Sequence, residues 1–242
     1  MPGTSAVTLS IIMPVYNEAA RVAYFVERAC ALLKPGHELW VVDGGSNDGT
    51  VSILHSLQSQ GLPFMLLQSA KGRAAQMNAG AMQALGQALL FLHADTEIPA
   101  ASVDTLVNAI EHTQGSLWWG RFNVRIVGQS LCLPMVAWFM NQRSRWTRIA
   151  TGDQALFCSR TLFEQTGGFP SQPLMEDIDW CARARRVPGA VFMPLKAQVL
   201  TSGRRWDDHG AWRTIVLMWS LRLRYFLGES VESIAQRYRD AR

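Results

Sequence analysis

ELWVVDGGSNDGTVSILHSLQSQ, residues 38–60, carries the decisive pattern: an apolar run, a carboxylate at its end, a glycine-rich turn and an amphipathic stretch. ELWVVD (38–43) reads as a buried strand and DGTVSILHSLQSQ (48–60) as a helix opened by an Asp cap. The pattern recurs on both sides. LSIIMPV (9–15) is a strand before EAARVAYFVERACALLK (18–34), a helix with Val22, Phe25, Val26 and Ala29 on one face. FMLLQS (64–69) precedes a helix over 74–86, and ALLFLHAD (88–95) precedes a helix over 99–113. Strands apolar on both faces, alternating with helices through short links, predict an α/β domain with a mostly parallel sheet covered on both faces. In such sheets, ligands bind beyond the carboxyl ends of the strands.

The second half is less regular. A strand is expected over 118–127, an amphipathic helix over 131–146 and a short strand over 155–160. A helix opening with acids follows over 175–186, then an extended segment over 191–202 and an apolar, arginine-edged helix over 212–227. One domain over 1–209 is expected, divided into halves 8–115 and 116–209, with a helical extension over 210–242.

The composition fits a globular core. Of 242 residues, 48% are hydrophobic and 17% charged, so no disulfide staple is needed. The four cysteines form no CxxC pair and read as reduced thiols of a cytoplasmic protein. No signal peptide or spanning segment is expected; the longest apolar run, 131–140, is broken by proline. The net charge is +4, and 20 of the 23 basic residues are arginine. Five of them fall in the acid-free stretch 112–152, which suits anionic ligands or a membrane surface. No nucleic-acid-binding motif accompanies them, so nucleic acid is excluded as a partner. The arginine-edged apolar faces of 131–146 and 212–227 fit peripheral contact with the inner membrane face, core packing or a homodimer seam.

Four polar clusters fall at predicted strand ends: PVYNE (14–18), DGGSNDGT (43–50), KGRAAQMNAG (71–80) and HADT (93–96). Together they describe one crevice suited to a nucleotide diphosphate. Asp43 can accept hydrogen bonds from a ribose or base, Gly44 and Gly45 allow close backbone approach, and Lys71 and Arg73 offer cations. Asp95 offers a hard oxygen to a divalent metal bridging two phosphates. On a strand, His93 and Asp95 share a face while Ala94 turns away. Imidazole suits Mn2+ better than Mg2+; the plainer reading is a histidine that only hydrogen-bonds its neighbours. Asp48 reads as a helix cap.

These motifs resemble the family 2 glycosyltransferases, with HAD where that family usually carries Asp-x-Asp. GDQALFCSRTLFEQTGGFP and PLMEDIDWCARARR match its acceptor-side region, and the resemblance runs over roughly residues 8–227. FLHADT, TGDQ, PLMEDI and SGRRW are similar to a bacterial subgroup described as arsenosugar-biosynthesis or radical-SAM/selenodomain-associated transferases. The resemblance implies the Rossmann-like GT-A fold and a nucleotide diphosphate sugar donor, UDP by family weight. Asp43 would contact the nucleoside, Pro14, Tyr16 and Glu18 would line its pocket, Lys71 and Arg73 would hold base or diphosphate, and Ala94 would lie among the donor contacts. Asp95, with His93 beside it, would bind the metal, Mn2+ over Mg2+. Asp177, with Glu176 beside it, would be the catalytic pair. Gly152, Asp153 and Gln154 would frame the acceptor, and Arg204, Arg205 and Trp206 would close over diphosphate or acceptor.

A carboxylate near an acceptor hydroxyl can take its proton as the new C–O bond forms. Attack opposite the leaving diphosphate inverts the anomeric centre. The expected activity is therefore inverting, metal-dependent sugar transfer to an unidentified small or lipid-linked acceptor. A non-catalytic nucleotide-sugar-binding protein is the alternative. A sugar-phosphate nucleotidyltransferase fits poorly, because PVYNE is not a glycine-rich, arginine-containing loop.

Overall fold

The structure is a computed structural model describing residues 8–113, 117–209 and 211–240; the side chains of Arg205, Asp208, His209 and 211–213 also lie outside what is described. The element order is β1 (Leu9–Val15), α1 (Val22–Cys30), β2 (His37–Asp43), α2 (Thr50–Ser59), β3 (Met65–Gln68), α3 (Arg73–Gln83), β4 (Ala88–Phe91), β5 (Thr96–Glu97), α4 (Ala100–Glu111) and β6 (Trp118–Val127). There follow α5 (Leu133–Thr147), a 3-10 turn (Gly152–Gln154), β7 (Leu156–Ser159), α6 (Arg160–Gln165), α7 (Glu176–Ala184), β8 (Val191–Ser202), α8 (Arg204–His209), α9 (Ala211–Phe226) and α10 (Val231–Asp240).

One sheet runs in the order β3-β2-β1-β4-β7-β6-β8-β5. β1, β2, β3 and β4 pair in parallel, as the alternation of strand and helix predicts. β7 then runs antiparallel between β4 and β6, while β6 and β8 are parallel to each other. The register sets Val15 beside Asp43 and Asp43 beside Gln68, so the polar clusters leave the sheet along one rim.

Every residue of β1 is buried, because both faces are covered. Leu9, Ile11, Met13 and Val15 face α1, α2 and α4 through Val22, Val26, Leu54, Leu57, Val103 and Leu106. Ile12, Val42, Leu89 and Phe91 face α3, α6 and α7 through Met77, Ala81, Phe163, Ile178 and Trp180. Leu221 of α9 and Ile234 and Tyr238 of α10 join this second layer. Packing of α5 against β6 makes a smaller cluster of Val124, Ile126, Leu133, Val136 and Ala137. The described cysteines are free thiols, two of them fully buried.

The sequence expectation for 88–95 needs correcting. β4 stops at Phe91, and His93–Asp95 form a turn closed by the Thr96 N–H on the His93 carbonyl at 3.0 Å. Thr96 and Glu97 then pair antiparallel with Thr201 and Leu200 of β8. Long-range pairing with a strand a hundred residues away turns the chain before the apolar pattern runs out. The 191–202 segment, expected only to be extended, is a twelve-residue strand, and Arg204–His209 form the short α8.

Candidate active site

A cavity of about 1230 Å3 opens at the carboxyl ends of β1 and β4 and extends between α5, α7 and α9. Its wall includes Pro14, Tyr16, Glu18, Arg73, His93, Ala94 and Asp95 from the first half of the chain. From the second half come Gly152, Asp153, Glu176, Asp177, Arg204 and Trp206. Asp43, Gly44, Lys71 and Gln154 stand off that wall, and the side chain of Arg205 is outside the described residues.

Asp43 is fully buried behind the rim. Its Oδ2 accepts the N–H groups of Gly45 and Ser46 at 2.8 and 3.0 Å, while Oδ1 has no partner among the described residues. A buried carboxylate oxygen left unsatisfied is costly. Gln76, which the sequence reading passed over, shapes this corner. Its amide donates to the Val15 and Val42 carbonyls at 2.7 and 2.8 Å, tying β1 to β2 at their ends. A Cβ at Gly44 would fall 2.9 Å from that amide, so Gly44 makes room for Gln76. Lys71 does not reach the cavity; its Nζ lies 3.0 Å from the Tyr16 hydroxyl and 4.1 Å from the ring centroid. Asp48 lies one residue before the α2 cap, Gly49; its Oδ1 still accepts the Thr50 N–H, and Oδ2 accepts that of Ala19.

The acids meet on the far side. Met175, held in the left-handed region at φ 64°, turns the chain into α7, so that Glu176 and Asp177 begin the helix inside the cavity. Glu176 is 3% exposed and its carboxyl is pushed up by burial, partly offset by Arg73, whose Nε is 3.7 Å away. Asp177 Oδ2 accepts the Gly152 N–H at 2.8 Å. Gly152 cannot carry a side chain: a Cβ there would lie 2.1 Å from the His93 ring. His93 is itself buried, with Nδ1 3.8 Å from Asp153 Oδ1. The imidazole therefore faces Asp153, and the turn brings Ala94 onto the wall where a continued strand would have turned it away. Gln154 is fully buried and donates to Asn141 and Ser144, so it anchors the 3-10 turn to α5.

No group of three or more His, Cys, Asp and Glu side chains gathers for a metal among the described residues. A hard cation that completes its shell from substrate phosphates needs only one or two protein carboxylates. Asp95 and Asp153 both line the cavity and are carboxylates of that kind.

Two further residues escaped the sequence reading. Arg143 of α5 and Arg222 of α9 line the cavity, and burial pushes Arg143 down to about 10 and lowers Arg222 as well. The signal that could have found Arg143 was the acid-free arginine stretch itself. Around the mouth stand Trp138, Phe139, Trp146 and Trp219, all more than half exposed. No helix among the described residues is long and apolar enough to cross a membrane.

Comparison with known proteins agrees with this architecture. The mannosyltransferase PcManGT of Pyrobaculum calidifontis, solved with GDP-Man and Mn2+, superposes with a TM-score of 0.67 at 23% identity over 90% of this chain and 63% of that one. S. aureus TarS with UDP gives 0.63 at 18% identity over 85% of this chain and 63% of that one. These likenesses show the GT-A fold. In sequence, the undecaprenyl-phosphate 4-deoxy-4-formamido-L-arabinose transferase of Aeromonas hydrophila is 30% identical over 115 residues, 45% of this chain and 35% of the relative. The beta-monoglucosyldiacylglycerol synthase of Synechocystis is 25% identical over 230 residues, 84% of this chain and 46% of the relative. The chain thus spans between a third and a half of the length of these two relatives. The family described as Glycosyl transferase family 2 matches residues 10–167, well over half of the sequence, and the chain belongs to that family.

Proposed function

We propose that the protein transfers a sugar from a nucleotide diphosphate donor, UDP-linked by family weight, to an acceptor hydroxyl with inversion. The observation that carries this reading is the meeting of Asp95, Arg73, Glu176 and Asp177 on one cavity wall. Family membership supports it, as do the nucleotide sugars and Mn2+ named for the fold neighbours.

The nucleoside sits over the ends of β1 and β2, where Tyr16 and Glu18 line the wall and Asp43 Oδ1 accepts a donor hydrogen bond. Arg73 lies toward the diphosphate and the acids, and Lys71 guards the outer edge through Tyr16. Asp95 would hold a divalent metal, Mn2+ in preference to Mg2+, which would supply positive charge to the donor diphosphate. Asp177 accepts the proton of the attacking hydroxyl, oriented by the Gly152 amide. Glu176 keeps Arg73 in place. Gly152 and Asp153 border the acceptor, and Arg204 and Trp206 close the mouth. The subgroup likeness noted above leads us to place the chain among the arsenosugar-associated transferases. The exposed aromatic faces of α5 and α9 favour peripheral membrane contact from the cytoplasm over a homodimer seam.

The test is incubation with UDP- and GDP-sugars, with and without Mn2+, following release of free nucleotide diphosphate. Slow metal-dependent release from one donor is expected. Tight donor binding without release under any condition would instead support a non-catalytic binding protein.

A further inference from the structure

Arg143 and Arg222 stand out among the arginines of this protein by what they do not touch. Arg160 spends all three guanidinium nitrogens on the carbonyls of Gly86, Ala81 and Ala84, and Arg183 spends its three on Asp179 and the carbonyls of Thr166 and Gly168. In contrast, buried Nε and Nη2 of Arg143 and buried Nη1 of Arg222 have no hydrogen-bond partner among the described residues. Both side chains line the large cavity. Asp177 is the acid that both guanidinium groups sense, yet its oxygens are engaged by the backbone N–H groups of Gly152 and Ile178. Two neighbouring guanidinium groups that line one cavity, each with an unpartnered buried donor and with Asp177 already engaged by backbone N–H groups, favour an anion in that cavity. Planar guanidinium forks suit a tetrahedral oxyanion with several acceptor oxygens.

Their place in the fold assigns the ligand. The donor-side residues Tyr16, Glu18 and Asp95 come from the loops after β1 and β4, whereas Arg143 and Arg222 come from α5 and α9, with Asp177 as the acid they share. We propose that Arg143 and Arg222 form a phosphate subsite for the acceptor, which is a phosphate ester carrying the hydroxyl that attacks. This rests on the transferase reading above. In the step, the hydroxyl oxygen forms its bond to the anomeric carbon and the bond from that carbon to the diphosphate breaks. The hydroxyl proton passes to Asp177, and the acceptor phosphate stays intact on the two arginines. Such an ester comes from a soluble polyol phosphate or a phospholipid headgroup. The aromatic mouth, Trp138, Phe139, Trp146 and Trp219, borders the same cavity and would meet the apolar part of a lipid.

The experiment titrates the full chain with glycerol 3-phosphate in the presence of saturating UDP, with sulfate at matched ionic strength as the ionic control. Binding of the phosphate ester is expected, weakened about tenfold or more by Arg143→Gln and by Arg222→Gln. Lysine at either position, which keeps the charge and tolerates the fold, should leave intermediate affinity. UDP affinity is measured on the same variants and should move less than about threefold. Co-sedimentation separates the sources. Retention on phosphatidylglycerol vesicles but not phosphatidylcholine vesicles, lost in the double variant, assigns the lipid headgroup; glycerol 3-phosphate binding without such retention assigns the soluble ester. Absence of binding by both phosphate probes overturns the proposal, as does binding that sulfate reproduces or that the variants leave unchanged. A tenfold loss of UDP affinity also overturns it, since the pair would then serve the donor diphosphate. If UDP binds and turns over while both phosphate probes fail, the subsite is refuted and the transferase reading stands.

Discussion

The backbone N–H of Gly152 donates to Asp177 Oδ2 at 2.8 Å, so the first turn of α7 and the 3-10 turn before β7 hold this carboxylate between them. An asparagine at 177 can still accept that N–H through its carbonyl oxygen, but it cannot take a proton. Asp177→Asn is therefore expected to lower single-turnover transfer by roughly 100- to 10,000-fold while calorimetry finds donor affinity little changed. Transfer within a few-fold of wild type would remove Asp177 from the base role.

Gly152 also sets the position of His93. An added Cβ would sit 2.1 Å from Cε1 and 2.4 Å from Nε2 of the ring, far inside contact distance. Gly152→Ala should cost about 1–3 kcal/mol of stability and reduce turnover, because the Asp177 contact moves with the turn. His93→Ala in the same chain should restore most of the loss, since it removes the clash. Thermal melts and kcat on the two single variants and the double test the coupling; strictly additive losses would show that the two residues do not press on one another.

The donor half of this architecture is legible in the sequence because its signals are local. The β1 run is apolar apart from Ser10, and the first three polar clusters follow their strands with no long-range contact needed to place them. The strand that the local pattern extends through His93–Asp95 gives way to a turn, because Thr96 and Glu97 pair with Thr201 and Leu200 of β8, which no local pattern announces. Gln76 lies in the KGRAAQMNAG cluster with nothing local to mark it; its role appears only when α3 crosses the ends of β1 and β2. Arg143 and Arg222 lie 79 positions apart in the sequence, and only α5 and α9 packing around one cavity makes them a pair.

Glu176 has a pH signature. Its carboxyl is raised by burial above the ordinary value of 4.5, so the folded state favours the protonated form. That preference is fully expressed below about pH 4.5 and is lost as pH rises through the raised value, leaving a charged carboxylate buried away from water. Glu176→Gln mimics the protonated form. The variant is expected to melt at the same temperature as wild type near pH 4 and at a higher temperature between pH 7 and 8, with lower activity because Arg73 loses its partner. A variant less stable than wild type at pH 8 would mean that the Arg73 pairing outweighs the burial cost.

Asp95 is the carboxylate assigned to the metal, and its test need not involve turnover. Mn2+ together with UDP should raise the melting temperature of the wild type more than UDP alone, because ligands that bind the folded state stabilise it. Asp95→Ala should erase the Mn2+ increment and keep part of the UDP effect. His93→Ala should narrow any preference for Mn2+ over Mg2+ if the imidazole reaches the ion. An unchanged preference would fit the observed approach of His93 to Asp153.

Asp43 gives the sharpest test of the nucleoside end. The residue is fully buried at the last position of β2, with Oδ2 committed to two backbone N–H groups and Oδ1 unpartnered among the described residues. Asp43→Asn preserves size and shape but replaces one acceptor oxygen with a donor. If the amide oxygen keeps the Gly45 and Ser46 contacts, the NH2 group takes the place of Oδ1 and repels a ligand donor. Loss of one hydrogen bond to a charged acceptor corresponds to about 1.5–3 kcal/mol, or roughly ten- to a hundredfold in affinity. UDP binding should weaken by that factor, and uridine alone should show the same ratio, as the proposed contact to the nucleoside requires. Loss confined to UDP, with uridine unaffected, would move Asp43 from the nucleoside to the diphosphate.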